Sequence, residues 1–305
     1  MLNENNEIWM NGEFVPAERA VVPFLNNTLH YGIGFFEGLR AYQTDRGVQI
    51  FRLRDHIRRL FESIKIGGVV PLRFSEDEIS EATRETVRRN RLGDAYIRPL
   101  AYFQGDHLGM SITQGELKIG IAAWNWPSLF DEAAIRRGLS VCVSSFSRMS
   151  HNAFLLKAKA CGNYVNSLYA HHEAVTNGYD ETVLLDGQGY VSECSGENIF
   201  IVKNGAILTP PPATILEGIT RDSVMTIARD FGYSVNEGMI ARDMLYTADE
   251  VFLTGSAAEV NAITSVDRRT IGSGMIGPVT AELRAAFIRT IRGKGTRSVE
   301  WCDYI

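Results

Sequence analysis

Apolar and polar positions along this chain switch between two periods, and the switches outline its elements. Apolar spacings of three and four residues predict a helix from Asp55 as cap to about Ile66, with Ile57, Leu60, Phe61 and Ile64 on the buried stripe and Gly67-Gly68 closing it. Arg59 sits beside that stripe, and a solvated arginine is its ordinary reading. Ser75 and Glu78 form a capping-box pattern that opens a second helix, running to about Leu92. Further helices are expected over 163–176, 217–232 (Thr220 as cap) and 278–292. Alternation or short apolar runs predict strands over 95–103, 117–124, 139–146, 181–185, 190–192, 198–202, 206–208 and 250–254. Asn11-Gly12 between apolar flanks marks a hairpin. The aromatic stretch 29–42, with glycines at 32, 34 and 38, reads as a strand approached closely by a ligand or another backbone, and equally as an aromatic core strand. Asn125–Asp131 breaks the pattern and reads as a connection between domains.

Composition narrows the function classes. The 305 residues are 45% hydrophobic and 22% charged, with net charge -5, so nothing electrostatic points to nucleic acid or an anionic membrane surface. No apolar run approaches a membrane span, and the first residues are polar and acidic rather than signal-like. Four cysteines without metal or redox spacing fit a reducing compartment, and a cytoplasmic protein is expected. His171, His172 and Glu173 do not make H-E-x-x-H, because position 176 is threonine, so no zinc site is expected. There is no G-x-S-x-G elbow, dinucleotide fingerprint or P-loop.

Three local features carry candidate chemistry. Lys157-Ala-Lys-Ala-Cys-Gly-Asn-Tyr164 places Lys159 among small residues, with Lys157 as a cationic neighbour able to disfavour its ammonium form. Glu193 ends a strand pattern before the small-residue loop Cys194-Ser-Gly. Gly218-Ile-Thr opens a helix whose first N–H groups suit an anion. Tyr96 and Arg98 share a strand face, as donors to a carboxylate or as an exposed polar face. A lysine, an acid and an anion cradle are what pyridoxal 5′-phosphate needs for its aldehyde, ring nitrogen and phosphate.

The ordered set His30-Tyr-Gly, Phe36-Glu-Gly-Leu-Arg40, Tyr96-Ile-Arg98, Lys159-Ala-Cys-Gly-Asn-Tyr164, Glu193-Cys-Ser-Gly-Glu-Asn198, Leu216-Glu-Gly-Ile-Thr-Arg221 and Thr254-Gly-Ser-Ala-Ala-Glu259 resembles the branched-chain amino acid aminotransferases, fold type IV pyridoxal-phosphate enzymes also called class IV aminotransferases. The resemblance implies an α/β (α+β) two-domain fold: a small N-terminal domain over 1–122, an inter-domain loop over 123–135, and a larger β-rich domain with helices over 136–305. It assigns the cofactor's aldehyde to Lys159, which also shuttles a proton, its ring nitrogen to Glu193 and its phenolic oxygen to Tyr164. The phosphate falls to Arg59, the N–H groups of Ile219 and Thr220, and the Ser256 hydroxyl. Tyr96 and the backbone at Ser256-Ala257 would meet the substrate carboxylate, oriented by Arg98, while Tyr31, Phe36, Ile112 and Trp126 would line the side-chain pocket. In this family Tyr31 and the 109–113 loop come from a neighbouring subunit, so at least a homodimer is implied.

The activity so implied is reversible amino transfer between branched-chain L-amino acids and 2-oxoglutarate, giving 2-oxo acids and L-glutamate. Four departures bear on substrate range. Ser111-Ile-Thr113 stands where many members have Gly-Val-Asn, Leu129 where bacterial members often place tyrosine, Ser256 for a common threonine, and Cys161 for a glycine. They leave room for a side activity on (R)-amines. A D-amino-acid or (R)-amine transaminase or an aminodeoxychorismate-type lyase of the same fold, and a non-catalytic pyridoxal-phosphate-binding protein, are the alternatives. The Tyr96/Arg98 pair argues for the L-amino-acid branch, and retention of both Lys159 and Glu193 argues for catalysis.

Overall fold

The computed structural model describes residues 6–69, 71–104, 108–112 and 115–305. The chain divides into two compact units, Met1–Pro127 with Lys157–Gly162 and Thr290–Ile305, and Ser128–Leu156 with Asn163–Arg289. This differs from the expected boundaries in two pieces. The lysine segment and the C-terminal residues, both expected in the larger domain, belong with the first unit.

The first unit holds β1 (Glu7–Met10), β2 (Glu13–Pro16), α1 (Asn27–Tyr31), β3 (Gly34–Phe36), β4 (Leu39–Thr44), β5 (Gly47–Phe51), α2 (Leu53–Gly67), α3 (Glu76–Arg89), β6 (Ala95–Gln104) and β7 (Glu116–Trp124). Its sheet is antiparallel throughout, with β4 and β7 flanking β6 and with β3 pairing β6 beyond β4. The hairpin turns at Asn11 and Gly12, both at positive φ, as a tight Asn-Gly turn requires. Leu53, Ile57, Leu60 and Ile64 of α2 and Ile79 and Val87 of α3 pack against the alternate face of β6 and β7, notably Ile97, Phe103, Ile119 and Ile121. The Ser75–Glu78 capping box forms as expected. Asp55 does not cap α2: the helix starts three residues earlier, from Arg52, and Asp55 accepts a hydrogen bond from Arg52 Nε at 2.7 Å.

The aromatic stretch also departs from expectation. Residues 27–31 form a helix rather than a strand, capped by Asn26 accepting from Leu29 N and ended by Gly32 at φ 71°. Phe35 turns into the core, as the alternative reading had it. The close approach at Gly38 is to protein: a β-carbon there would run into the Tyr96 hydroxyl.

The second unit holds α4 (Glu132–Arg137), β8 (Leu139–Ser147), α5 (Tyr164–Thr176), β9 (Glu181–Leu185), β10 (Val191–Cys194), β11 (Asn198–Lys203), β12 (Ala206–Thr209), α6 (Ile219–Asp230), β13 (Val235–Glu237), α7 (Arg242–Thr247), β14 (Glu250–Gly255), β15 (Glu259–Val266) and β16 (Arg269–Thr270). Its mixed sheet runs β10-β9-β8-β15-β14-β11-β12-β13. Runs such as Ile199–Val202 and Val251–Leu253 are buried on both faces, which is why they read as continuous apolar stretches. α8 (Pro278–Ile291) starts on Glu250, whose carboxylate accepts from Val279 N and Thr280 N at 3.0 and 2.7 Å. After α9 (Ser298–Trp301), β17 (Cys302–Tyr304) pairs antiparallel with β5, which places the C-terminus in the first unit's sheet.

Candidate active site

In the first unit the lysine segment is docked onto the sheet by its backbone. Lys159 N donates to Ser63 Oγ on α2 at 3.0 Å, and Phe36 N donates to Lys159 O at 3.0 Å. The amine lies 4.9 Å from the centre of the Phe36 ring, and the Arg98 guanidinium lies 4.6 Å from the same ring. Arg98 Nη2 donates to the Tyr96 hydroxyl at 2.9 Å, so the shared strand face predicted for this pair is realised as a contact. Tyr96 in turn packs edge-on against Trp126, with ring centres 4.8 Å apart. Arg40 fixes that end of the unit by donating to the carbonyls of Trp126 and Pro127.

Burial, and after it the Arg59 charge, pull the Lys159 amine down to about 8, against an ordinary value of 10.5. Arg59 and Arg98 are cations that act on it, both distant from it in the chain. Arg59 is not the solvated residue of the ordinary reading. Its Nε and Nη2 donate to Glu37 Oε1 and Oε2 at 2.6 and 2.9 Å, and its side chain is 13% exposed. Glu37 is completely buried and also accepts from His56 Nδ1 at 2.7 Å. Arg59 and His56 hold its carboxyl well below the usual range against the opposing effect of burial, and burial pushes His56 down.

In the second unit Glu193, on β10, is nearly buried. Arg148 Nε lies 2.8 Å from its Oε1, while Leu216 N and Asn198 Nδ2 donate to its Oε2 at 3.1 and 3.4 Å. Asn198 also donates to Leu216 O at 2.9 Å, tying the acid to the segment that leads into α6. That helix starts from Gly218 with no side-chain cap, and Ile219 and Thr220 are its first two residues. Thr220 is therefore inside the helix and buried rather than its cap. A β-carbon at Gly218 would run into Asn198 Oδ1. Asn198 pairs with Thr254 across β11 and β14, which brings the half-buried Ser256 and Ala257 turn to the same end of the sheet. Thr254 Oγ1 is buried without a hydrogen-bond partner.

Arg59, Lys159, Phe36, Tyr96, Arg98 and Trp126 thus gather in one unit, and Glu193, Ile219, Thr220, Ser256 and Ala257 lie at one end of the other unit's sheet. Tyr164 is the first residue of α5 and half-buried. Tyr31 ends α1 and is 49% exposed, with its ring beside His30, and Ile112 is half-buried. Of the 109–113 loop, Thr113 lies outside the described residues. Sequence reading passed over Glu37, His56, Ser63 and Arg148. Positions 56, 59 and 63 share one helix face, and a lone acid in an aromatic strand has to be paired, so the first three were open to inference. Arg148, in an irregular segment, offered no such signal.

Each unit carries groups of the kind a phosphorylated aldehyde uses: the first a weakly basic amine, the second an ion-paired acid, a helix start with no side-chain cap and the buried Thr254 hydroxyl without a hydrogen-bond partner. The family model for amino-transferase class IV matches residues 34–266. The chain belongs to the class IV aminotransferases. A branched-chain-amino-acid aminotransferase of Pseudomonas aeruginosa is 44% identical over 301 residues, covering 99% of this chain and 98% of its own. One from Escherichia coli strain K12 is 41% identical over 300 residues, covering 98% and 97%. The crystal structure of a T.th. branched-chain amino acid aminotransferase complexed with N-(5′-phosphopyridoxyl)-L-glutamate superposes with TM-score 0.94 at 44% identity, covering 98% of both chains. The same enzyme has been solved with 4-methylvaleric acid, at TM-score 0.94 and 99% of both chains.

Proposed function

We propose that this class IV aminotransferase uses pyridoxal phosphate to exchange amino groups between branched-chain L-amino acids and 2-oxoglutarate, yielding the branched-chain 2-oxo acids and L-glutamate. The observation that carries the reading is the half-buried Lys159 amine, packed over Phe36 and held down to about 8 by desolvation and by the Arg59 and Arg98 charges. When bound, the cofactor supplies an aldehyde to that amine and a ring that takes up electrons released at the substrate carbon. The Lys159 amine would also move the proton at the substrate α-carbon. Glu193, fixed by Arg148, Asn198 and Leu216 N, holds a proton at the ring nitrogen. Tyr164 donates to the ring's phenolic oxygen. Arg59, the N–H groups of Ile219 and Thr220 and the Ser256 hydroxyl bind the phosphate. Tyr96, oriented by Arg98, and the backbone at Ala257 receive the substrate carboxylate. Phe36 and Trp126, with Tyr31 and Ile112, present the apolar walls that favour a branched side chain.

The neighbours' ligands support this reading: one mimics a glutamate–cofactor adduct and the other is a branched aliphatic acid. We also take the protein to be a homodimer or larger homo-oligomer. Val21, Phe24, Leu25 and Leu29, all more than 60% exposed, form an apolar run beside Tyr31 that suits a second copy. No described helix is long and apolar enough to cross a membrane, and the four cysteines are free among the described residues, in keeping with a cytoplasmic site. A donor screen with 2-oxoglutarate as acceptor tests the assignment. L-leucine, L-isoleucine and L-valine should outpace D-alanine and (R)-1-phenylethylamine by orders of magnitude. Faster turnover of D-alanine or the (R)-amine would overturn it.

A further inference from the structure

We propose that Glu37 is a positioning residue for this reaction, the buried anion that fixes Arg59 and sets how readily the Lys159 nitrogen keeps its proton. The inference rests on the reading that Lys159 carries the cofactor. Glu37 sits between β3 and β4 with no exposed surface. Its carboxylate accepts four hydrogen bonds: from Arg59 Nε and Nη2 at 2.6 and 2.9 Å, from His56 Nδ1 at 2.7 Å and from Gly38 N at 3.2 Å. An acid so completely satisfied inside a protein stays ionised, and its two oxygens lock the planar guanidinium in one orientation. Because the carboxylate only accepts, the neutral His56 ring carries its proton on Nδ1. His56, Arg59 and Ser63 lie on one face of α2, and Ser63 holds the Lys159 backbone. One helix face therefore carries both the partners of Glu37 and the anchor of Lys159.

Charge decides what Glu37 does there. The charged and titratable groups acting most on the Lys159 amine include Arg59 from α2, Tyr96 and Arg98 from β6, and Glu37. Arg59 and Arg98 disfavour a cation on the lysine, and Glu37 favours one. His56 feels the Lys159 charge as well. Removing the Glu37 charge takes away an opposing charge from the two guanidinium groups that act on the lysine, and removes the two hydrogen bonds by which Glu37 orients Arg59.

The test is a pH titration of the visible absorption band of the cofactor-loaded protein, comparing wild type with Glu37→Gln and Glu37→Asp. Glu37→Gln should move the band's midpoint down by about one pH unit and speed cofactor loss on dilution about tenfold. Glu37→Asp keeps the charge but shortens the reach, so the midpoint should stay near wild type while cofactor loss still accelerates. A merely structural role would lower thermal stability in both variants without separating these two readouts. A folded Glu37→Gln protein with unmoved midpoint and unchanged cofactor retention would overturn the inference. If Glu37→Gln does not fold, Glu37→Asp decides: a midpoint displaced by a full unit with the charge retained contradicts the role, and an unmoved midpoint with faster cofactor loss supports it. A wild-type protein with no visible band, or a band that survives Lys159→Ala, would instead sink the underlying assignment of the lysine.

Discussion

The surroundings of Lys159 and those of Glu193 are built on opposite plans. Lys159 is crowded by like charge and apolar surface, with Arg59 and Arg98 acting on an amine packed over Phe36, so its charged form is disfavoured. Glu193 is met by complementary groups from three separate stretches: Arg148 from the segment after β8, Asn198 from β11 and Leu216 N from before α6. A group that has to change state during a reaction is best left poorly satisfied. A group that has to keep one state is best pinned. The two surroundings thus differ by whether neighbours oppose or match the charge at the centre.

The largest expected effect comes from unpinning the acid. Arg148→Met leaves Glu193 buried without its cation and should lower the free energy of unfolding by about 3–5 kcal/mol, read by urea denaturation. An unchanged midpoint would mean that the pair adds nothing to the fold. Next comes the poorly satisfied amine. Lys159 titrates near 8 when folded and near 10.5 as an ordinary lysine, so the unfolded chain binds more protons between those values. The group therefore costs stability in full below about 8, and that cost is relieved as pH rises towards about 10.5. In cofactor-free protein the stability gap between Lys159→Met and wild type should accordingly narrow by about 2–3 kcal/mol from pH 7 to pH 10. A pH-independent gap would show an amine of ordinary basicity.

Two glycines sharpen the contrast. Gly38→Ala drives a methyl into the Tyr96 hydroxyl and Gly218→Ala drives one into Asn198, each at a cost of about 1–3 kcal/mol. The first should raise KM for amino acids and spare cofactor retention, and the second should weaken retention; the same defect in both would blur the division of labour. Smallest is Tyr96→Phe, which removes the Arg98 hydrogen bond and should raise KM for L-leucine roughly threefold to tenfold.

Much of this arrangement was legible in residue order, because periodic elements declare themselves locally. The α3 capping box, the Asn11-Gly12 hairpin, β6, β7 and α5 lie where spacing puts them. What was not legible depends on contacts far apart in the chain. Arg59 looked solvated because Glu37, 22 residues away, is invisible to helical periodicity. Chain order offers Lys157 as a cation beside Lys159, but it does not reveal Arg59 of α2 and Arg98 of β6, which also act on the amine. The lysine segment joins the first unit because Ser63 and Phe36 hold its backbone, and no local pattern encodes that docking. Asp55 and Thr220 were placed as caps by residue type, but the helices begin where backbone geometry at Arg52 and Gly218 allows.

The central claim is that one particular amine carries the cofactor, and borohydride reduction of the purified protein followed by peptide mass mapping tests it directly. A single phosphopyridoxyl group on Lys159, with Lys157 unmodified in the same peptide, is the predicted result. The group on Lys157, or spread over surface lysines with none on Lys159, would contradict the account.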